Sequence, residues 1–111
     1  MLINMYENQE YVGEVLALKR ELENIADKWA VAVVRSDLVV GHVPYEIATT
    51  ISHFLRRDSN KGTVKITGTR INRGAGLGLE VPCTYCIYGP AANIQKAQEV
   101  IEYSTTEPST K

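Results

Sequence analysis

Residues 29–47, WAVAVVRSDLVVGHVPYEI, restrict the fold more than any other stretch: two β-branched runs are separated only by Ser36 and Asp37 and then closed by a proline. WAVAVVR (29–35) reads as a strand with Val31 and Val33 on one face and Ala32 and Val34 on the other. Residues 38–43 read as a short strand that folds back on it as a hairpin. Pro44 suits a first helical position, where its missing N–H costs nothing. His42 therefore falls at a corner between strand and helix. The unpaired N–H groups and partial positive charge of a helix start suit a phosphate or another anion there.

The flanking residues extend the same pattern. EVLALKR (14–20) reads as an earlier strand, joined to 29–35 by the polar turn ELENIADK. A helix is expected over 44–57, with Ile47, Ile51, Phe54 and Leu55 forming one buried stripe, and DSNKG (58–62) stops it. TVKITGT (63–69) alternates, with Val64 and Ile66 inward and Lys65 and Thr67 outward. LEVPCTYCIY (79–88) is a long strand, broken by Gly89 and Pro90 before a helix over 91–103 with Ile94, Ala97 and Ile101 inward. Residues 104–111 form a polar tail expected to be disordered. Strands, helix, strands and helix with short connections favour an antiparallel α+β barrel, mostly β, with two packed helices. At 111 residues, 44% of them hydrophobic, the chain is sized for one domain, taken as 1–103.

No basic leader and no apolar run of about 18 residues is present, so an intracellular protein, nuclear or cytoplasmic and without membrane contact, is expected. The net charge of −1 excludes a strongly basic nucleic-acid binder, but the charge is uneven. Residues 1–27 carry two basic and six acidic groups, and residues 28–80 carry eight basic and four acidic. A basic middle section can hold a few phosphates or can be an ordinary solvated face.

Other candidate signals are weaker. Cys83 and Cys86 form a C-x-x-C, yet residues three apart on a strand point to opposite faces, so a reduced structural role is expected and no metal. GAGLG (74–78) precedes a strand rather than a helix and reads as a hairpin loop, whose flanking Arg70 and Arg73 can reach a phosphate. His53, on the first helix, is assigned no role. Asp27 ends the turn before one strand and His42 ends the adjoining one. Pairing about Ser36 and Asp37 puts the two at one end of the sheet, an acceptor beside a donor. The alternative is a local turn cap for Asp27 and a satisfied edge histidine for His42. No nucleophile, base and orienting group come together, and no phosphate-cradling G-x-x-x-x-G-K-[ST] occurs, so neither enzyme activity nor a cofactor is expected.

LALKRELENIADKWAVAVV (16–34) resembles the "L-x-R-E-x-x-N-x-x-D-x-x-A-V-x-V" segment of HIRAN domains, and VVGHVPYEI (39–47) resembles their "V-G-H-hydrophobic-x-x-E" corner. GLEVPCTYCIYG (78–89) is similar to the family's closing strand, so the resemblance spans about residues 11–102. It implies a small OB-like or SH3-like β-barrel. It also implies a non-catalytic module that binds the 3′ end of single-stranded DNA in a repair or replication-fork setting, stand-alone or within a larger helicase-type protein. By position, the aspartate that holds the terminal hydroxyl falls on Asp27 and the corner histidine on His42.

Three positions depart from the DNA-binding pattern: Ala26 for a tyrosine, Tyr45 for a lysine and Leu79 for an aromatic. The family's early tyrosine falls on Tyr6 or Tyr11. Base stacking is worth about 1–3 kcal/mol per base, so Tyr45, Trp29 and Lys28 are expected to replace part of what is lost. The competing expectation is a protein-interaction or scaffold domain that keeps the barrel and has lost the ligand.

Overall fold

The computed structural model describes residues 1–6, 11–69 and 79–105, and of residues 79 and 100–105 the backbone. Its elements are β1 (Leu2–Met5), β2 (Val15–Arg20), β3 (Val31–Arg35), β4 (Leu38–His42), α1 (Tyr45–Leu55), β5 (Lys61–Ile66), β6 (Leu79–Tyr88) and α2 (Ala91–Thr105). The described strands close into one antiparallel barrel in the order β1-β4-β3-β2-β5-β6. This is the α+β barrel with two helices that the sequence predicts.

Period-two alternation builds the interior. Leu16, Leu18, Val31, Val33, Val64, Ile66, Val81 and Cys83 are buried in one cluster, and directly paired residues such as Leu18 and Val33 point the same way. Val43, at the joint before the helix, and Ile47, Ala48 and Ile51 of α1 close the cluster, while Leu55 is only half-buried. Helix α2 packs on α1 through buried Ala97. No described helix is long and apolar enough to cross a membrane.

Several boundaries differ from expectation. Strand β1 was not predicted: LINM is too short to show a pattern, and it is fixed by pairing with β4 on one side and β6 on the other, with Ile3 and Met5 buried. Strand β3 begins at Val31, so Trp29 belongs to the preceding turn. Pro44 is the residue before the helix rather than its first residue, and α1 stops at Leu55. Lys61 and Gly62 open β5 instead of stopping a helix, and the strand ends at Ile66. Helix α2 continues to Thr105. The tail from 106, the GAGLG segment, Arg70 and Arg73 lie outside the described residues.

The β3–β4 hairpin turns on Ser36 (φ 49°) and Asp37 (φ 69°), both left-handed, as a two-residue turn between twisted strands requires. Beyond it the register shifts: Val34 faces Val39 but Val33 faces Gly41, so Val40 is the extra residue of a β-bulge. An unbulged ladder would pair His42 with Val31 on the barrel interior. The bulge pairs it with Ala32 instead, and His42 emerges on the outer face.

Cys83 is buried and Cys86 half-buried, and both are free thiols. Burial pushes the Cys83 thiol up to about 12, so it is protonated at neutral pH and a poor nucleophile.

Candidate nucleic-acid interface

The β2–β3 connection is a chain of three-residue turns that hold one another. Asn24 donates its amide to Glu21 Oε1 (3.2 Å), the Asp27 N–H donates to Asn24 Oδ1 (3.0 Å), and the Trp29 N–H donates to Asp27 Oδ1 (2.9 Å). Asp27 thus caps its own turn, as short polar side chains do. That use occupies Oδ1; a carboxylate has a second oxygen able to accept.

His42 is held from two sides. Its Nε2 lies 2.7 Å from Glu21 Oε1, and its Nδ1 is hydrogen-bonded to the hydroxyl of Tyr6, whose ring is 5.5 Å away and tilted by 51°. A carboxylate can only accept, so in the neutral ring Nε2 carries the proton and Nδ1 accepts from the Tyr6 hydroxyl. Glu21 and the imidazole are about three-quarters covered, whereas Tyr6 is 58% exposed. Tyr6 is therefore the partner free to move.

Burial raises the Glu21 carboxyl, but the hydrogen bonds from His42 and Asn24, with the His42 charge, together outweigh it and leave it below its ordinary 4.5. Burial and the Glu21 charge push the Tyr6 phenol up. A lowered carboxyl stabilises the fold fully above its ordinary value, and that stabilisation fades as pH falls through the lower folded value. Wild type is thus expected to exceed Glu21→Gln by about 1 kcal/mol at pH 6, with the gap closing as pH falls below the ordinary carboxyl value of 4.5 and through the lower folded one. Urea unfolding of both proteins across that range checks this; a gap independent of pH would remove Glu21 as the anchor.

Asn24, Asp27, Val31, His42, Tyr45 and Ala48 line a cavity of about 260 Å³ between this turn and the start of α1. The structure thus brings Asp27, His42 and Tyr45 together, with Tyr6 at the outer edge on His42. Lys28 and Trp29 lie beside the cavity rather than in its wall. The Lys28 ammonium is 5.0 Å from the centroid of the Trp29 ring, and the Trp29 ring packs on that of His53 at 4.4 Å, tilted by 36°. Sequence reasoning missed Glu21, Asn24 and His53. The first two recur at three-residue spacing before Asp27, which was the available signal. The His53 ring contact spans 24 positions and leaves no local trace. Among the described residues no group of three or more His, Cys, Asp or Glu can hold a metal ion.

The family described as the HIRAN domain matches residues 3–89 of this chain. The crystal structure of the HIRAN domain of human HLTF superposes with a TM-score of 0.66 at 18% identity, covering 95% of this chain and 88% of that one. The NMR structure of the HLTF HIRAN domain gives a TM-score of 0.63 at 17% identity with the same coverage. At such identity these structures show a shared fold. No curated protein matches.

Proposed function

This chain belongs to the HIRAN domain family, a family of DNA-binding modules that are not themselves catalytic, and from that premise we propose that it binds the 3′ end of single-stranded DNA in the cavity between Asp27 and His42. The observation that carries this reading is the pairing, in one small cavity, of a carboxylate locked by its own turn with an imidazole whose direction Glu21 fixes. A carboxylate accepts a hydrogen bond from a terminal hydroxyl and repels a terminal phosphate. Two carboxylates beside the pocket suit a chain end, not a site for phosphates alone. Once Tyr6 swings off, His42 meets the last phosphodiester as the imidazolium, donating from Nδ1–H while Nε2–H stays on Glu21, and Tyr6 and the 81% exposed Tyr45 offer faces for bases. Lys28 adds a cation beside the mouth, and Arg70 and Arg73 are proposed to meet the backbone further along. The setting is intracellular DNA repair or fork processing, alone or attached to a larger helicase-type protein.

Fluorescence anisotropy of a short labelled strand at low salt tests this. Wild type is expected to prefer a 3′-hydroxyl over a 3′-phosphate by about tenfold, the worth of one charge-assisted hydrogen bond, and Asp27→Ala to lose that preference. Equal affinity for both ends would sink it.

A second reading is favoured by Leu22 and Ile25, which stand 73% and 101% exposed on the same turn. Apolar tips beside a polar cavity suit a protein partner, and a scaffold domain of this kind would be indifferent to Asp27→Ala.

A further inference from the structure

A larger cavity, of about 780 Å³, lies between α1 and α2, away from the His42 cavity. His53 enters its wall from α1, Arg56, Arg57 and Asn60 from the segment that joins α1 to β5, and Asn93 and Lys96 from α2. No carboxylate is among the described residues that line it. Arg56 and Arg57 near a helix C-terminus are accounted for by the helix dipole. Lys96 is not: it stands on a different helix and brings a third exposed cation to the same cavity. A cavity lined by one sign of charge between low-dielectric walls concentrates anions of the opposite sign.

A line of side chains runs from one cavity wall to the other. Asp27 walls the first, Lys28 and Trp29 follow it in the chain, Trp29 packs on His53, and His53 walls the second. Along α1 the eight-residue step from Tyr45 to His53 covers about 12 Å, and continuation to the C-cap Arg56 about 16 Å. At the duplex spacing of about 3.4 Å per nucleotide this is the length of about five nucleotides of a strand that keeps its stacking, and of fewer in an extended one. Cations, an aromatic pair and more cations in line are what sequence-tolerant single-strand grooves use.

We infer that the α1–α2 cavity is a phosphate-binding site for the upstream backbone of the strand whose end occupies the His42 cavity, the strand crossing α1 over the Trp29–His53 pair. This rests on the end-binding reading above. The strand is threaded from a hydroxyl-reading pocket, across a stacking platform, to a phosphate-holding cavity, so affinity grows with strand length until the second cavity is filled.

The test compares labelled oligodeoxythymidines of about 3 and about 12 nucleotides, on either side of that reach. They are titrated at several salt concentrations into wild type, Arg56→Gln/Lys96→Gln and, as an equal charge change on the barrel, Lys19→Gln/Lys65→Gln. All four side chains are exposed, so folding is preserved. The Arg56→Gln/Lys96→Gln protein is expected to bind the long strand about tenfold more weakly, with a log–log salt slope shallower by about 1.4, two phosphate contacts at about 0.7 each. The short strand is expected to be unaffected, and the barrel control to match wild type. Unchanged long-strand affinity and slope in Arg56→Gln/Lys96→Gln, with end preference intact, overturns the second site and leaves the end reading standing. Equal losses in the barrel control overturn it as mere net charge. Long-strand binding indifferent to the 3′ end, yet weakened only in Arg56→Gln/Lys96→Gln, upholds the phosphate site and overturns the end reading. No binding of either strand by wild type overturns both.

Discussion

Gly41→Ala is expected to destabilise the domain by about 3 kcal/mol, the upper range of overpacking costs, lowering its melting temperature by about 15 °C. A Cβ at Gly41 would lie 2.2 Å from the carbonyl oxygen of Asn4 and 3.1 Å from the Met5 Cα. Both obstacles are backbone, so no rotamer change relieves them and β1 itself must move. Strands β1 and β4 are joined through only two residue pairs, Asn4 with His42 and Met5 with Gly41, and this seam closes the barrel. Opening it also parts Tyr6 from His42, because Tyr6 follows β1 directly and its N–H donates to Val40. Gly62→Ala is the matched control: its Cβ would meet the Leu18 Cδ1 at 3.2 Å, the end of a flexible side chain, and a change within about 1 kcal/mol is expected. Thermal unfolding followed by circular dichroism compares the two, and similar small shifts in both would contradict the tight β1–β4 closure.

Ile51→Ala carries the other large effect, about 3–4 kcal/mol. Ile51 is fully buried where α1 meets the barrel, in one cluster with Val31, Val33, Val64 and Ile66. Truncation forfeits its burial and leaves a void that a closed barrel cannot collapse around. Ile51→Val, one methylene shorter, is expected to cost about 1 kcal/mol. Helix α1 carries Tyr45 and Ala48 into one cavity and His53 into the other, so loosening it disturbs both. Denaturant titration of the two variants gives the gradient; a near-neutral Ile51→Ala would mean that α1 is held by contacts other than this stripe.

These energetics explain what the sequence revealed. Long alternating runs carry their own signal, which is why 79–88 is read with the bounds that the structure gives and the hairpin about Ser36 and Asp37 forms as expected. Strand β1 is legible only through its partners, because four residues cannot hold a period. At the site, Asp27 and His42 were singled out from their corners, and the structure sets both in one cavity wall. Glu21 and Asn24 read as ordinary turn residues, since what distinguishes them is a bond to a histidine 21 positions away and the bonds that support it. The charge cluster at the end of α1 and on α2 was equally hidden: Arg56, Arg57 and Lys96 look like solvated surface until two helices bring them together.

The bulge at Val40 sets how this site can be changed by mutation. Side-chain direction along β4 is a matter of parity, and the extra residue supplies the odd step that turns His42 outward. Replacing Val39 or Val40 by another residue leaves the count intact. Losing one residue between the hairpin turn and His42 restores the even count and sends the imidazole into an apolar barrel, where no carboxylate awaits it. The site is therefore tolerant of substitution at Val39 and Val40, closed to a side chain at Gly41 and intolerant of deletion before His42, so strand length up to the histidine is a strict record of whether a relative has kept it.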